Sequence, residues 1–174
     1  MASRAAAPRR YATHDTKSSF MKIINLADTN SIVNQYLAEM RDIEYQRNRM
    51  LFRNNIERIG MFEAFEISKT LAYEPKDVTT PLGIAHTALP TDDIVLATIF
   101  RAGLPFHSGF LNVFDHAGNG FVSAFREYTD NDHTNVGIHV EYLATPDING
   151  KTLIIADPML ATGGSMEMGY RALA

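Results

Sequence analysis

Cysteine is absent from the 174 residues, which excludes a disulfide scaffold, a thiolate nucleophile and a cysteine-ligated zinc site, and suits a reducing cytosol. Long apolar runs are absent too. The longest are short stretches such as Ile94 to Phe100, far below the roughly 20 residues that a membrane-crossing helix needs, so a soluble protein is expected. Basic charge is scarce beyond the first residues. Residues 1–20 hold Arg4, Arg9, Arg10 and Lys17 against Asp15, a net of +3, which leaves −7 for the rest of a chain whose total is −4. An acidic body argues against a general nucleic-acid surface, where a spread of Lys and Arg must neutralise phosphates. Any bound anion has to be captured locally.

What is present is enough for one core. With 45% hydrophobic residues, a chain of this length buries a single sizeable domain with small appendages. No internal repeat or low-complexity tract interrupts it. The opening MASRAAAPRRYATHDTKSSF has the Ala, Arg, Ser and Thr of an organelle-targeting peptide, but Asp15 and Pro8 count against that. It is read as a disordered extension, residues 1–20, preceding the domain, residues 21–174.

Capping residues Asp28, Thr29 and Ser31 precede Ile32, Tyr36, Leu37 and Met40, which share one face of a first helix. A longer helix carries Phe52, Ile56, Ile59, Phe62 and Phe65 as a core stripe and is expected to end near Tyr73, before Pro75. Thr80-Pro81-Leu82-Gly83 suits a tight turn, so a β-hairpin arm is expected between Asp77 and Leu89. Ile94 to Phe100 is apolar throughout, the pattern of a strand buried on both faces. A helix follows from Pro105 to Phe114, and Asp115 to Gly120 turns the chain. Strands are expected at Phe121–Phe125, Ile138–Leu143 and Leu153–Ala156, with helix from about Gly164. Strands alternating with helices predict an α/β fold: an open, mostly parallel sheet flanked by helices, with an N-terminal helical segment and the hairpin arm. Ligands in such sheets bind at the carboxyl ends of the strands. Here those are the loops after Phe100, after Phe125 and after Ala156.

The richest of these loops is Asp157-Pro158-Met159-Leu160-Ala161-Thr162-Gly163-Gly164-Ser165. Gly163 and Gly164 let the backbone approach a ligand, and the unpaired amides and positive dipole end of the following helix attract an anion. Hydroxyls of Thr162 and Ser165 add donors. Asp157 would repel a phosphate in direct contact, so its natural partner is a neutral polyol such as ribose; together they imply a sugar phosphate. The same residues also suit an ordinary strand-to-helix turn in which Thr162 and Ser165 cap the helix. Arg101 and Arg126 each follow an expected strand, where a guanidinium can grip phosphate bidentately. Either alone also reads as a surface arginine, but two of them converging on a glycine-rich loop favour a ligand. The six histidines, His14, His86, His107, His116, His133 and His139, show no metal-ligand spacing and read as surface or loop residues.

The string DPMLATGGS resembles the phosphoribosyl pyrophosphate loop of the uracil phosphoribosyltransferases, within the type I phosphoribosyltransferase family. Pro158 stands where the wider family carries a second acid, and this also disfavours the RNA-binding pyrimidine-attenuator relatives, which keep paired acids. IFRAGLPFHSGFL (Ile99 to Leu111) is similar to the family's RAGL loop, and MLFRNNIERIG (Met50 to Gly60) matches as well. The resemblance runs from about Met21 to the end. It implies transfer of 5-phosphoribosyl to uracil, giving UMP and pyrophosphate, by a cytoplasmic homo-oligomer, with Mg2+ carried by the donor. It further implies that Arg101 and Arg126 bind the pyrophosphate end, that Asp157 through Ser165 hold the ribose and its phosphate, and that Arg101, Arg126 and Asp157 are catalytic. Glu127 to Val136 would be a mobile hairpin tip closing over the site, and the early helices and hairpin arm would form subunit interfaces. Family members continue through further strands to a segment that recognises uracil, so the chain is expected to be incomplete at its carboxyl terminus. A regulatory RNA-binding relative and an inactive donor-binding fragment are the alternatives.

Overall fold

A computed structural model describes residues 22–128 and 136–173, with only the backbone described at 124–128 and 136–141. The expected extension at residues 1–20 lies outside these. Helix α1 (Ile32–Arg41) starts where the hydroxyl of Ser31 accepts from the amide of Val33, and α2 spans Arg49–Ser68. Val33 is the buried residue of α1, with Tyr36, Leu37 and Met40 packed behind it, while Ile32, expected to face inward, is 47% exposed. On α2, Ile56 and Ile59 are buried and Phe52 and Phe62 pack against the same cluster. Phe65, expected to complete that stripe, is instead 54% exposed under the ammonium of Lys69. The helix stops five residues short of Tyr73, because Tyr73 and Pro75 belong to strand β1 (Tyr73–Thr80), which pairs with β2 (Gly83–Pro90) as the hairpin arm. In a two-stranded ribbon each strand is an edge, where a proline is tolerated. Gly83 turns the ribbon with φ +132°.

The main sheet comprises β3 (Ile94–Phe100), β4 (Gly118–Tyr128), β5 (Val136–Ala144) and β6 (Thr152–Ala156), in the order β5-β4-β3-β6. β3 pairs parallel with both β4 and β6; β5 pairs antiparallel with β4. The sheet is thus mostly parallel, as expected. Alternate residues of β6 face opposite ways: Ile154 and Ala156 join the core with α1, α2 and α3 (Leu104–Leu111), while Leu153 and Ile155 pack on the side of Leu173 in α4 (Gly164–Leu173). Helices therefore cover both faces. α2 and α3 cross with their backbones almost touching: a Cβ on Gly60 would lie 2.7 Å from the carbonyl oxygen of Phe106, and one on Gly109 would run into that of Glu57.

Several boundaries differ from expectation, most of all those of α3 and β4. α3 begins at Leu104 and closes at Leu111, short of Phe114. β4 begins at Gly118, not Phe121, because pairing with β3 recruits a segment whose Gly118-Asn119-Gly120 reads locally as a turn. β4 also runs past Phe125 to Tyr128, held by β5 through a register shift at Ser123/Ala124. Among the described residues no helix is long and apolar enough to cross a membrane.

Candidate functional site

The chain leaves β3 through α3 on one face of the sheet and leaves β6 through α4 on the other, although β3 and β6 are parallel neighbours. Their connections diverge, so a crevice opens between the two carboxyl ends, the position where open α/β sheets take their ligands. Arg101 follows β3 directly and is exposed; Asp157 follows β6 directly and is half-buried. Thr98 pairs with Ala156, so β3 runs two residues further than β6 and Arg101 stands beyond the level of Asp157. Gly103 holds the Arg101 loop tight against the strand it leaves: a Cβ there would lie 2.6 Å from both the carbonyl oxygen of Ile99 and the methyl of Thr98.

In the second loop the carboxylate of Asp157 accepts the amide of Met159 at 3.1 Å, and the hydroxyl of Thr162 accepts that of Gly164 at 3.5 Å. Gly163 has φ +79°, and its carbonyl accepts the amide of Glu167 at 2.9 Å, the bond that opens α4. The amides of the first helical turn precede that bond and point towards the loop without a helical partner. Residues 159–166 with Asp157 enclose a cavity of about 110 Å³. That is well under the several hundred Å³ of a complete small-molecule site. A group the size of phosphate is within this volume. Met159 and Leu160 are 73% and 70% exposed at the loop's tip and line the cavity with Ala161, whereas Pro158 is half-buried and does not line it.

Arg126 was expected at a strand end and lies inside β4, paired with Ile138 and three residues along from Ser123, which faces Phe100. Its backbone therefore projects past the end of β3 on the β4–β5 ribbon. Of the expected tip, Glu127, Tyr128 and Val136 are strand residues, and 129–135 lie outside the described residues. A larger cavity, about 420 Å³, lies away from these loops, between residues 22–27 and helices α1 and α2. Glu63 lines it, and burial pushes its carboxyl above the usual range.

His107, read from sequence as a surface residue, is buried at 4% exposure and bonds Thr98 and Asn119. The available signal was a polar Thr98 inside an apolar run and a histidine between phenylalanines. His86 and His116 are exposed as expected, beside Asp77 and Asp115; His139 lies in β5, and His14 and His133 fall outside the described residues.

Residues 27–174 match the family model described as uracil phosphoribosyltransferase. The chain belongs to that family. It is 55% identical over 153 residues to the uracil phosphoribosyltransferase of Porphyromonas gingivalis, covering 88% of this chain and 70% of the relative. A uracil phosphoribosyltransferase of Methanothermobacter thermautotrophicus is 40% identical over 117 residues, which are 66% of this chain and 53% of that one. The solved structure of the AQ2163 protein from Aquifex aeolicus superposes with a TM-score of 0.64 at 30% identity, covering 81% of this chain and 63% of its own. The family match spans both crevice loops, and the Aquifex likeness agrees with the α/β architecture.

Proposed function

We propose that this chain transfers the 5-phosphoribosyl group of phosphoribosyl pyrophosphate to uracil, giving UMP and pyrophosphate. The reading is supported by the divergence of the connections after β3 and β6, which puts the exposed Arg101 after one strand and the glycine-rich helix start after its parallel neighbour. The bond from C1 of ribose to pyrophosphate breaks with its electron pair leaving on pyrophosphate; N1 of uracil bonds to C1 and loses its proton. Little covalent chemistry falls to the protein, so its contribution is position and charge. The amides and hydroxyls of Thr162 to Ser165 hold the 5′-phosphate, Asp157 accepts from the ribose hydroxyls, and Arg101 and Arg126 meet the pyrophosphate.

Among the described residues no group of three His, Asp or Glu side chains could hold a metal. Mg2+ enters this reading together with the donor, and Asp157, directly after β6, is the carboxylate that would stand beside it. Bound there, it supplies charge neutralisation on pyrophosphate. The reading includes a cytoplasmic homo-oligomer that uses the hairpin arm.

Conversion of labelled uracil to UMP, dependent on the donor, tests this. Donor-dependent thermal stabilisation without UMP would reduce the chain to donor binding, and a gel shift with RNA would favour the regulatory alternative, against which the 55% identity to a named uracil phosphoribosyltransferase already weighs.

A further inference from the structure

Asn55, Thr98 and His107 are the buried polar side chains among the described residues. Asn55 ties α1 to α2 through Glu39 and Arg58. The other two meet each other, in a layer otherwise filled by Leu96, Phe106 and Phe110.

The side-chain amide of Asn119 donates to the carbonyl of Ala117 at 3.2 Å, which turns its oxygen towards Nε2 of His107 at 2.7 Å. An oxygen only accepts, so Nε2 carries the proton and donates. In the neutral ring Nδ1 is then an acceptor, and the hydroxyl of Thr98, 3.0 Å away, donates to it. One ring thereby ties β3, α3 and β4 together with assigned donors and acceptors, while its face packs on Phe121 at 4.9 Å between centroids. A leucine could fill this volume without desolvating three polar groups, so a satisfied polar network here specifies a unique arrangement rather than adding bulk.

What it arranges is the Arg101 loop. The amide of His107 donates to the carbonyl of Gly103 at 2.8 Å, and that of Leu104 to the carbonyl of Arg101 at 3.3 Å. On the strand side, the methyl of Thr98 leaves Gly103 no room for a Cβ. Residues 101–103 are thus bounded by Thr98 before them and His107 after them, and these two are bonded to each other. We propose that His107 is a positioning residue, acting through Thr98 and Gly103 to hold Arg101 at the donor-binding lip of the crevice. The inference rests on the functional reading above.

Calorimetric titration with phosphoribosyl pyrophosphate and Mg2+ tests it on the full chain. His107→Phe keeps the ring packing and loses both hydrogen bonds; its donor affinity should fall about tenfold or more, and His107→Gln, which can accept and donate, should return it to within about threefold of wild type. Ile56→Val, a core loss on the same side of the sheet but remote from the loop, should lower the melting midpoint without moving donor affinity. Wild-type affinity in His107→Phe overturns the inference and spares the functional reading, as does a loss that Ile56→Val reproduces. If His107→Phe does not fold, Thr98→Val removes one hydrogen bond with little change of shape; about threefold weaker binding is then expected, and unchanged binding overturns the inference. A wild-type chain that does not bind donor removes the functional reading and this inference together.

Discussion

Arg101 leaves a strand in which every residue from Ile94 to Ile99 is buried, and it is itself exposed. A cation so placed is anchored by a rigid element yet free to meet a ligand. If it meets charge that grows on the departing pyrophosphate, Arg101→Ala should lower turnover on the order of 10²- to 10³-fold, the usual consequence of losing a preorganised charge partner. Steady-state UMP formation at near wild-type turnover would contradict that. Glu63 is the opposite case, a carboxyl held away from water. Its raised pKa means that the folded chain binds the proton more tightly than the unfolded one, so its favourable contribution is present below the ordinary value of 4.5 and is lost as pH rises through the raised folded value. Glu63→Gln should therefore melt higher than wild type at pH 7, with the two midpoints converging as the pH is lowered towards 4, as differential scanning calorimetry can check. The roles of Asp157 to Ser165 could be argued from sequence because their chemistry is contiguous: strand, acid, glycines and helix start follow one another. For His107 the sequence signal is faint, because its partners Thr98 and Asn119 lie 9 and 12 residues away on other elements. Only the packing of α3 onto the sheet turns a histidine of apparent surface type into the centre of a network.

Helices and strands with strong internal periodicity were legible in sequence, and their ends were less so. β3 is apolar because it is central and covered on both faces. β4 begins earlier than its residues suggest, since Gly120 is required by closeness: a Cβ there would lie 3.0 Å from the hydroxyl of Thr145 and 3.4 Å from the Cβ of Ala97. A glycine selected for close approach looks in sequence like one selected for a turn. The crossing of α2 and α3 repeats the point. Gly109→Ala must push the backbone of Glu57 away, and overpacking of this kind costs about 1–3 kcal/mol. Urea unfolding should show the loss as a lower midpoint with an unchanged slope; an unaltered midpoint would mean that the two helices are not in the contact described.

At the scale of the molecule the hairpin arm stands apart from the core. Two strands alone are marginal in water, yet Leu82 is fully exposed, Ile84 is 64% exposed and Leu89 is 46% exposed. Its base is fastened: the carboxylate of Asp92 accepts the amide of Ala72 at 2.7 Å and the hydroxyl of Thr152 at 2.6 Å. In the proposed homo-oligomer, an arm fixed at its root with apolar residues along its length would be the part that meets a second copy. The double variant Leu82→Asp, Ile84→Asp should then sediment as a smaller species than wild type, whereas an unchanged mass would remove the arm from the interface. With an acidic body, the proposed function needs the crevice to capture the anion, and the account as a whole turns on that capture. Its most direct measurement is calorimetric titration of wild type and Asp157→Asn with phosphoribosyl pyrophosphate and Mg2+. The expected result is one saturable site per chain, weakened about tenfold or more in the variant, as loss of a hydrogen bond to a charged group implies. No binding by wild type, or equal binding by both, would contradict it.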